Sequence, residues 1–305
     1  FYTHVFERHD ENGRPERFGD IYRRTKVDVA GEGNYRNFAL LGDPSVRLAM
    51  TRQNARITTV TDTLGNELDT LMARATVRIT GEVTDTTGQV LTDFNGTVLP
   101  TVFDKVTALS TLDNDHCAGP YNYTLRKNII YRGRATVTNG QFSSTFVVPQ
   151  DINYAVGPGR ISVYAESLTE NACGYDNTPL VGASDPNALA DANGPVIELY
   201  MNDETFVPGG ITDEKPLLLA KLHDDNGINT LGSSIGHDLT AVIDQSTENA
   251  IVLNDEYEAD KDTYKRGTVR YRLSGLSEGT HTLDLKAWDV FNNSSQKSLD
   301  FVVAP

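Results

Sequence analysis

Three observations predict an all-β chain. From Arg56 onward apolar residues recur at every second position, the period of a strand with one buried face. Gly, Asn, Asp and Pro punctuate these runs at short intervals, as tight turns require. Helical spacing is confined to one short stretch near the start. The resulting expectation is two consecutive β-sandwich domains, residues 52–193 and 194–305, preceded by a short helix-plus-strand segment at residues 1–51.

The first segment is read from residues 15–29, where Phe18, Ile21 and Tyr22 precede Arg23, Arg24 and Lys26. That order suits one amphipathic helix with cations toward its C-terminal end, where the macrodipole is negative. Gly31-Glu32-Gly33-Asn34 should end it. N-F-A-L-L-G-D-P-S-V-R-L-A at 37–49 then reads as two short apolar runs broken by a Gly-Asp-Pro turn.

In the first sandwich, T-V-R-I-T-G-E-V-T-D at 76–85 places Val77, Ile79 and, past Gly81, Val83 on one core face. Thr86-Thr87-Gly88 turns the chain. Residues 96–103, 128–138, 141–148 and 160–166 continue the alternation. Asn139-Gly140 joins two of these runs and suits a two-residue type I′ hairpin, because both positions tolerate positive φ. T-P-L-V-G-A-S-D-P-N-A-L-A-D-A-N-G-P at 178–195 reads as a connection.

Seven candidate strands follow: 196–201, 216–223, 237–243, 250–253, 267–273, 281–287 and 298–303. Short strands at this spacing form the immunoglobulin-like pattern. In H-T-L-D-L-K-A, alternation turns Leu283, Leu285 and Ala287 inward, and the single Trp, Trp288, closes the run as core or sheet-edge packing.

Composition excludes several classes. The formal net charge of −15 repels phosphate backbones and anionic headgroups, which argues against a nucleic-acid partner. No run of about 18 apolar residues exists to span a bilayer as a helix. The chain opens on F-Y-T-H-V-F with neither an initiator Met nor a basic-then-apolar leader, the start expected of a fragment or processed product. No phosphate loop, G-x-S-x-G elbow or dinucleotide fingerprint occurs.

Two cysteines, Cys117 and Cys173, lie in polar, turn-rich surroundings. A bridge between them would close a loop whose chain-entropy stabilisation is about 4 kcal/mol; two unbridged thiols are the equal alternative. Neither has the base or electropositive context of a nucleophile. The Asp and Asn residues at 224–229 offer hard oxygen ligands, so Asp224, Asp225 and Asn229 are candidate ligands for a structural Ca²⁺. D-D-N-G is equally a turn former. The acidic run E-Y-E-A-D-K-D at 256–262 reads as a solvated loop. His237 and Asp238 resemble half of a catalytic pair, but neighbours along a strand face opposite ways and cannot pair with each other. His4, His9, His116, His223 and His281 show no zinc spacing.

Several blocks carry a resemblance: N-F-A-L-L-G-D-P at 37–44, G-T-V-L-P-T-V-F-D-K at 96–105, N-G-Q-F-S-S-T-F-V-V-P at 139–149, G-P-V-I-E-L-Y-M-N-D at 194–203, and the runs at 224–238 and 279–293. In this order they resemble the C-terminal part of the PorU-type sortases of the type IX secretion system, gingipain-like cysteine peptidases of Bacteroidetes. The resemblance implies a secreted, cell-surface or outer-membrane-associated parent that removes C-terminal sorting domains from exported cargo and joins the cargo to anionic lipopolysaccharide. It implies outer-membrane secretion-complex proteins and that cargo as partners. Residues 1–51 would end the peptidase domain, whose His and Cys are expected before Phe1. Neither Cys117 nor Cys173 matches a catalytic motif, so no catalytic residue is assigned. A noncatalytic adhesion or glycan-binding module on the same architecture is the alternative, since fold alone does not separate the two.

Overall fold

The computed structural model describes residues 1–7, 10, 14–31, 37–114, 116, 119–232 and 236–304. It divides into two compact units, Phe1–Arg52 and Gln53–Pro305.

The first unit holds helices α1 (Tyr2–Glu7) and α2 (Phe18–Asp28). Helix α2 falls within the expected 15–29 and buries Ile21. His4 reaches Asp28 at 2.5 Å, and the Phe18 and Gly19 amides donate to the Val46 and Pro44 carbonyls. The expected strand is a correction: among the described residues, 37–51 form only an isolated bridge, Arg17 to Arg47. Phe38 and Leu41 are exposed, and an apolar run becomes a strand only where a ladder partner lies alongside.

Among the described residues, the regular structure of the second unit is strand apart from two single 3-10 turns, Thr247–Asn249 and Asn254–Glu256. In chain order its first part comprises β1 (Gln53–Thr61), β2 (Thr70–Ala73), β3 (Thr76–Thr84), β4 (Gly96–Phe103), β5 (Thr107–Ser110), β6 (Asn122–Leu125), β7 (Ile129–Arg132), β8 (Ala135–Thr138), β9 (Gln141–Val147), β10 (Gly157–Pro158), β11 (Arg160–Glu166), β12 (Asn171–Asp176) and β13 (Leu180–Ser184). The main sheet runs β11-β12-β1-β3-β9-β8-β4-β7, and β4 also pairs with β11. Seven strands therefore close into a barrel, where an open two-layer sandwich was expected. Alternation specifies one buried face; only the long-range pairing of β4 with β11, Arg160 opposite Phe103 through Glu166 opposite Thr97, decides that the sheet meets itself.

Val77, Ile79 and Val83 are fully buried in this barrel, as their spacing predicts. Gly81 between them has a packing reason: a Cβ there would lie 2.3 Å from the Phe142 ring and 2.5 Å from the Arg56 carbonyl oxygen. Asn139 and Gly140 take φ of 51° and 75° and join β8 to β9 with Thr138 opposite Gln141. Residues 178–195, read as a connection, contain β13, which pairs in parallel with β2.

The second part adds β14 (Val196–Met201), β15 (Ile211–Thr212), β16 (Leu217–His223), β17 (Thr240–Ile243), β18 (Ile251–Val252), β19 (Tyr257–Ala259), β20 (Arg266–Arg272), β21 (Gly279–Trp288) and β22 (Ser294–Val303). They form two sheets, β14-β16-β20-β19 and β15-β22-β21-β17-β18. Both sheets feed one core in which Leu218, Leu222 and Val269 meet Leu283, Leu285 and Phe301. Residues 256–262 correct the solvated-loop expectation: Tyr257–Ala259 is an edge strand paired with β20. Tyr257 packs against the core, and its burial drives the phenol well above the ordinary tyrosine range.

The two parts are joined by side chains as well as by the chain. Leu231, from the second part, sits fully buried in the barrel's apolar cluster, with Tyr264 packed against that cluster. Asp262 takes hydrogen bonds from the Thr136 amide and hydroxyl, each 2.6 Å.

Candidate functional site

The Asp-, Asn- and His-rich runs at 224–238 and 279–293 meet in space. The Asn229 amide donates to the Trp288 carbonyl at 2.8 Å and the Val290 amide to the Gly227 carbonyl at 3.1 Å; Ile228 bridges Asp289. Two polar clusters form around this crossing.

The first gathers three carboxylates. Asp224 follows β16, Asp289 follows β21, and Asp191 comes from the run before β14; one oxygen of each lies within 4.8 Å of the others. Asx turns hold each in place. Asp224 Oδ1 accepts from the Asn226 and Gly227 amides at 2.7 and 3.0 Å. Asp289 Oδ1 accepts from the Phe291 and Asn293 amides, and Oδ2 from Asn293 Nδ2. Asp191 accepts from the Asn193 amide and, at 2.7 Å, from Asn226 Nδ2.

These environments set the protons apart. Burial pushes Asp289 up to about 6, with the nearby Asp224 charge adding to it against the lowering effect of Asn293. Burial likewise raises Asp224. Asp191 is held below the usual carboxylate range, first by the Asn193 amide, and also by Asn226 and Asp289. The cluster is thus poised to share a proton or to hold a cation. None of the three forms an ion pair with Lys, Arg or His among the described residues, and three convergent carboxylate oxygens match the hard donor set of Ca²⁺.

The second cluster centres on Asp151, in the loop after β9. Its Oδ2 takes His237 Nδ1 at 2.6 Å and Asn229 Nδ2 at 3.2 Å; its Oδ1 takes Asn292 Nδ2 at 2.6 Å. The neighbouring Gln150 amide donates to the Val290 carbonyl. His237 lies against the Trp288 ring, centroids 4.2 Å apart, and Lys286 Nζ sits 4.3 Å from the same ring. One barrel aspartate is therefore grasped by three side chains of the following part.

The candidate Ca²⁺ ligands separate accordingly. Asp224 enters the carboxylate cluster. Asp225 points outward and pairs with Lys265 at 3.2 Å. Asn229 is fully buried but serves Asp151. The strand expected at 237–243 begins only at Thr240, so His237 and Asp238 lie in the segment before it; they take separate partners, His237 with Asp151 and Asp238 accepting from Asn254 Nδ2 at 2.7 Å. Cys173 lies on β12, where it faces Asn54 of β1. Cys117 lies outside the described residues, and so does the choice between a bridge and two unbridged thiols. The sequence reading missed Asp151, Asp191 and Asp289. Asp191 in D-A-N-G-P and Asp289 in D-V-F-N-N stand at the heads of Asx turns, a local signal that marks the turn but not its neighbours.

No family profile matches the chain, and no curated protein is significantly similar to it. Among solved structures, dimeric latent PorU from Porphyromonas gingivalis is 32% identical over 98% of this chain, with a TM-score of 0.51. Trypsin-activated alpha-2-macroglobulin from Escherichia coli matches 83% of the chain and red sea bream transglutaminase 84%, at 12% and 11% identity and TM-scores of 0.28 and 0.23; likenesses of that level bear no weight on function. The chain spans 29% of the length of the PorU structure. It is similar to PorU throughout its own length, and that relationship, on an all-β architecture, is the conclusion the comparisons support.

Proposed function

We propose that this chain is the noncatalytic C-terminal portion of a type IX secretion sortase. It braces the peptidase domain or docks it at the outer-membrane complex. The observation that carries this reading is the 32% identity to PorU across 98% of the chain. On this reading the parent is secreted and held at the cell surface. A cysteine outside this chain attacks the peptide bond before the cargo's sorting domain, which leaves as an amine. An amine of anionic lipopolysaccharide then attacks the thioester and releases the thiol. No residue of this chain touches the reacting atoms. The two sheets built from β14 to β22 are read as an immunoglobulin-like sandwich. Asp224, with Asp191 and Asp289, is read as holding a structural Ca²⁺.

The test is genetic. Deleting the gene that encodes the chain should leave cargo with its sorting domain attached, and complementation with a version lacking residues 53–305 should fail to restore processing. Normal cargo maturation in the deleted strain removes the sortase role. Full restoration by the shortened version removes the bracing and docking role alone.

A further inference from the structure

One short seam of the barrel lies beside β1. Strand β12 pairs with β1 only at Gln53 opposite Ala172 and Asn54 opposite Cys173, then follows β11 as far as Asp176 opposite Ile161. The opposite edge of β1 is fully paired with β3 through Thr61. On the β12 side the next backbone partner is Leu68, whose amide donates to the Val60 carbonyl at 2.9 Å. Gly174, the next residue of β12, still lies against the buried Ala55 carbonyl, so among the described residues it is Arg56 to Thr59 that have no ladder pairing on that side. A bulge between Ile57 and Thr59 twists this stretch, a feature often found where pairing must stop.

The gap is a groove of about 500 Å³ whose lining includes Thr58 and Thr59 together with Glu67, Asp69 and Asp176. That volume falls within the range of ligand clefts. Among the described residues, no Lys, Arg or His lines it and none of the three carboxylates forms an ion pair. An unpaired strand edge offers backbone donors and acceptors to an extended chain, and uncompensated acidic side chains select a basic one. We infer that the open edge of β1 binds an extended, Lys- or Arg-bearing peptide segment by strand addition, with Glu67, Asp69 and Asp176 receiving its cations.

The probe is a fluorescein-labelled peptide of alternating Lys and Val, about eight residues long so that it overlaps the open edge, titrated against the full chain by anisotropy at low salt. Saturable binding is expected. The Glu67→Gln, Asp69→Asn, Asp176→Asn triple variant should weaken it about tenfold, the sum expected of three exposed ion pairs, with an unchanged melting temperature. A peptide N-methylated at alternate amides keeps its charge and loses ladder donors, and should not bind. Equal affinity of wild type and triple variant overturns the proposal. So does equal binding of the N-methylated peptide, which would mark charge attraction without strand addition. Absence of saturation with the Lys-Val peptide overturns it as well.

Discussion

His237 Nδ1 lies 2.6 Å from Oδ2 of Asp151, a residue 86 positions earlier in the chain. This pair, with Asn229 and Asn292 on the same carboxylate, ties the barrel to the two sheets that follow it. Asp151→Ala should destabilise the protein by about 2–4 kcal/mol, because it strands buried donors and removes the shared acceptor. Chemical denaturation measures the loss, and a change under about 0.5 kcal/mol would show that the contact carries little.

His281 gives a pH dependence. Its Nε2 lies 2.8 Å from the Ser277 carbonyl and its Nδ1 2.7 Å from Asp244, and those two acceptors, in that order of effect, raise its pKa above the ordinary 6.5. A ring with both nitrogens facing acceptors is held as imidazolium. With the folded-state value raised, the contribution is complete below pH 6.5 and is lost as pH rises through the folded-state value. Stability should fall across that window, and His281→Gln should flatten the fall.

Asp244 sets the acid side of the same contact. Burial opposes its ionisation, but the Thr282 amide and His281 outweigh burial and hold the carboxyl below its usual range. Its contribution is present above the ordinary carboxylate value and fades as pH drops through the lowered one. Asp244→Asn should remove this acid limb; an unaltered limb in melting curves at low pH would assign it to other carboxylates.

The carboxylate cluster separates a proton from a cation. Because Asp289 is raised to about 6, the neutral acid is favoured in the fold. Without a cation, stability should drop as pH climbs from 3.8 through about 6. A bound Ca²⁺ would reverse that trend by favouring the ionised cluster. Millimolar Ca²⁺ should raise the melting temperature at pH 7, and Asp224→Asn should abolish the rise while stabilising the protein in EDTA. Identical transitions in Ca²⁺ and excess EDTA would dismiss the cation.

Gly81→Ala tests the packing of β3. With the Phe142 ring and the Arg56 carbonyl both closer to the new Cβ than contact allows, a loss of about 1–3 kcal/mol is expected. A neutral effect would mean that β1 and β9 yield without strain.

What the sequence determined by itself was local. Alternation placed Val77, Ile79, Val83, Leu283, Leu285 and Ala287 in cores, Asn139-Gly140 marked its hairpin, and helical spacing found α2, because side-chain period and φ preference are properties of a few neighbouring residues. Only tertiary structure decided that β4 meets β11 to close a barrel, that β19 is an edge strand rather than a loop, and that Asp224 joins Asp191 and Asp289 instead of Asp225 and Asn229. Each of those outcomes is a pairing between segments far apart in sequence. The Asp and Asn residues that read as turns are turns, and what they do beyond turning depends on which distant carboxylate the fold brings beside them.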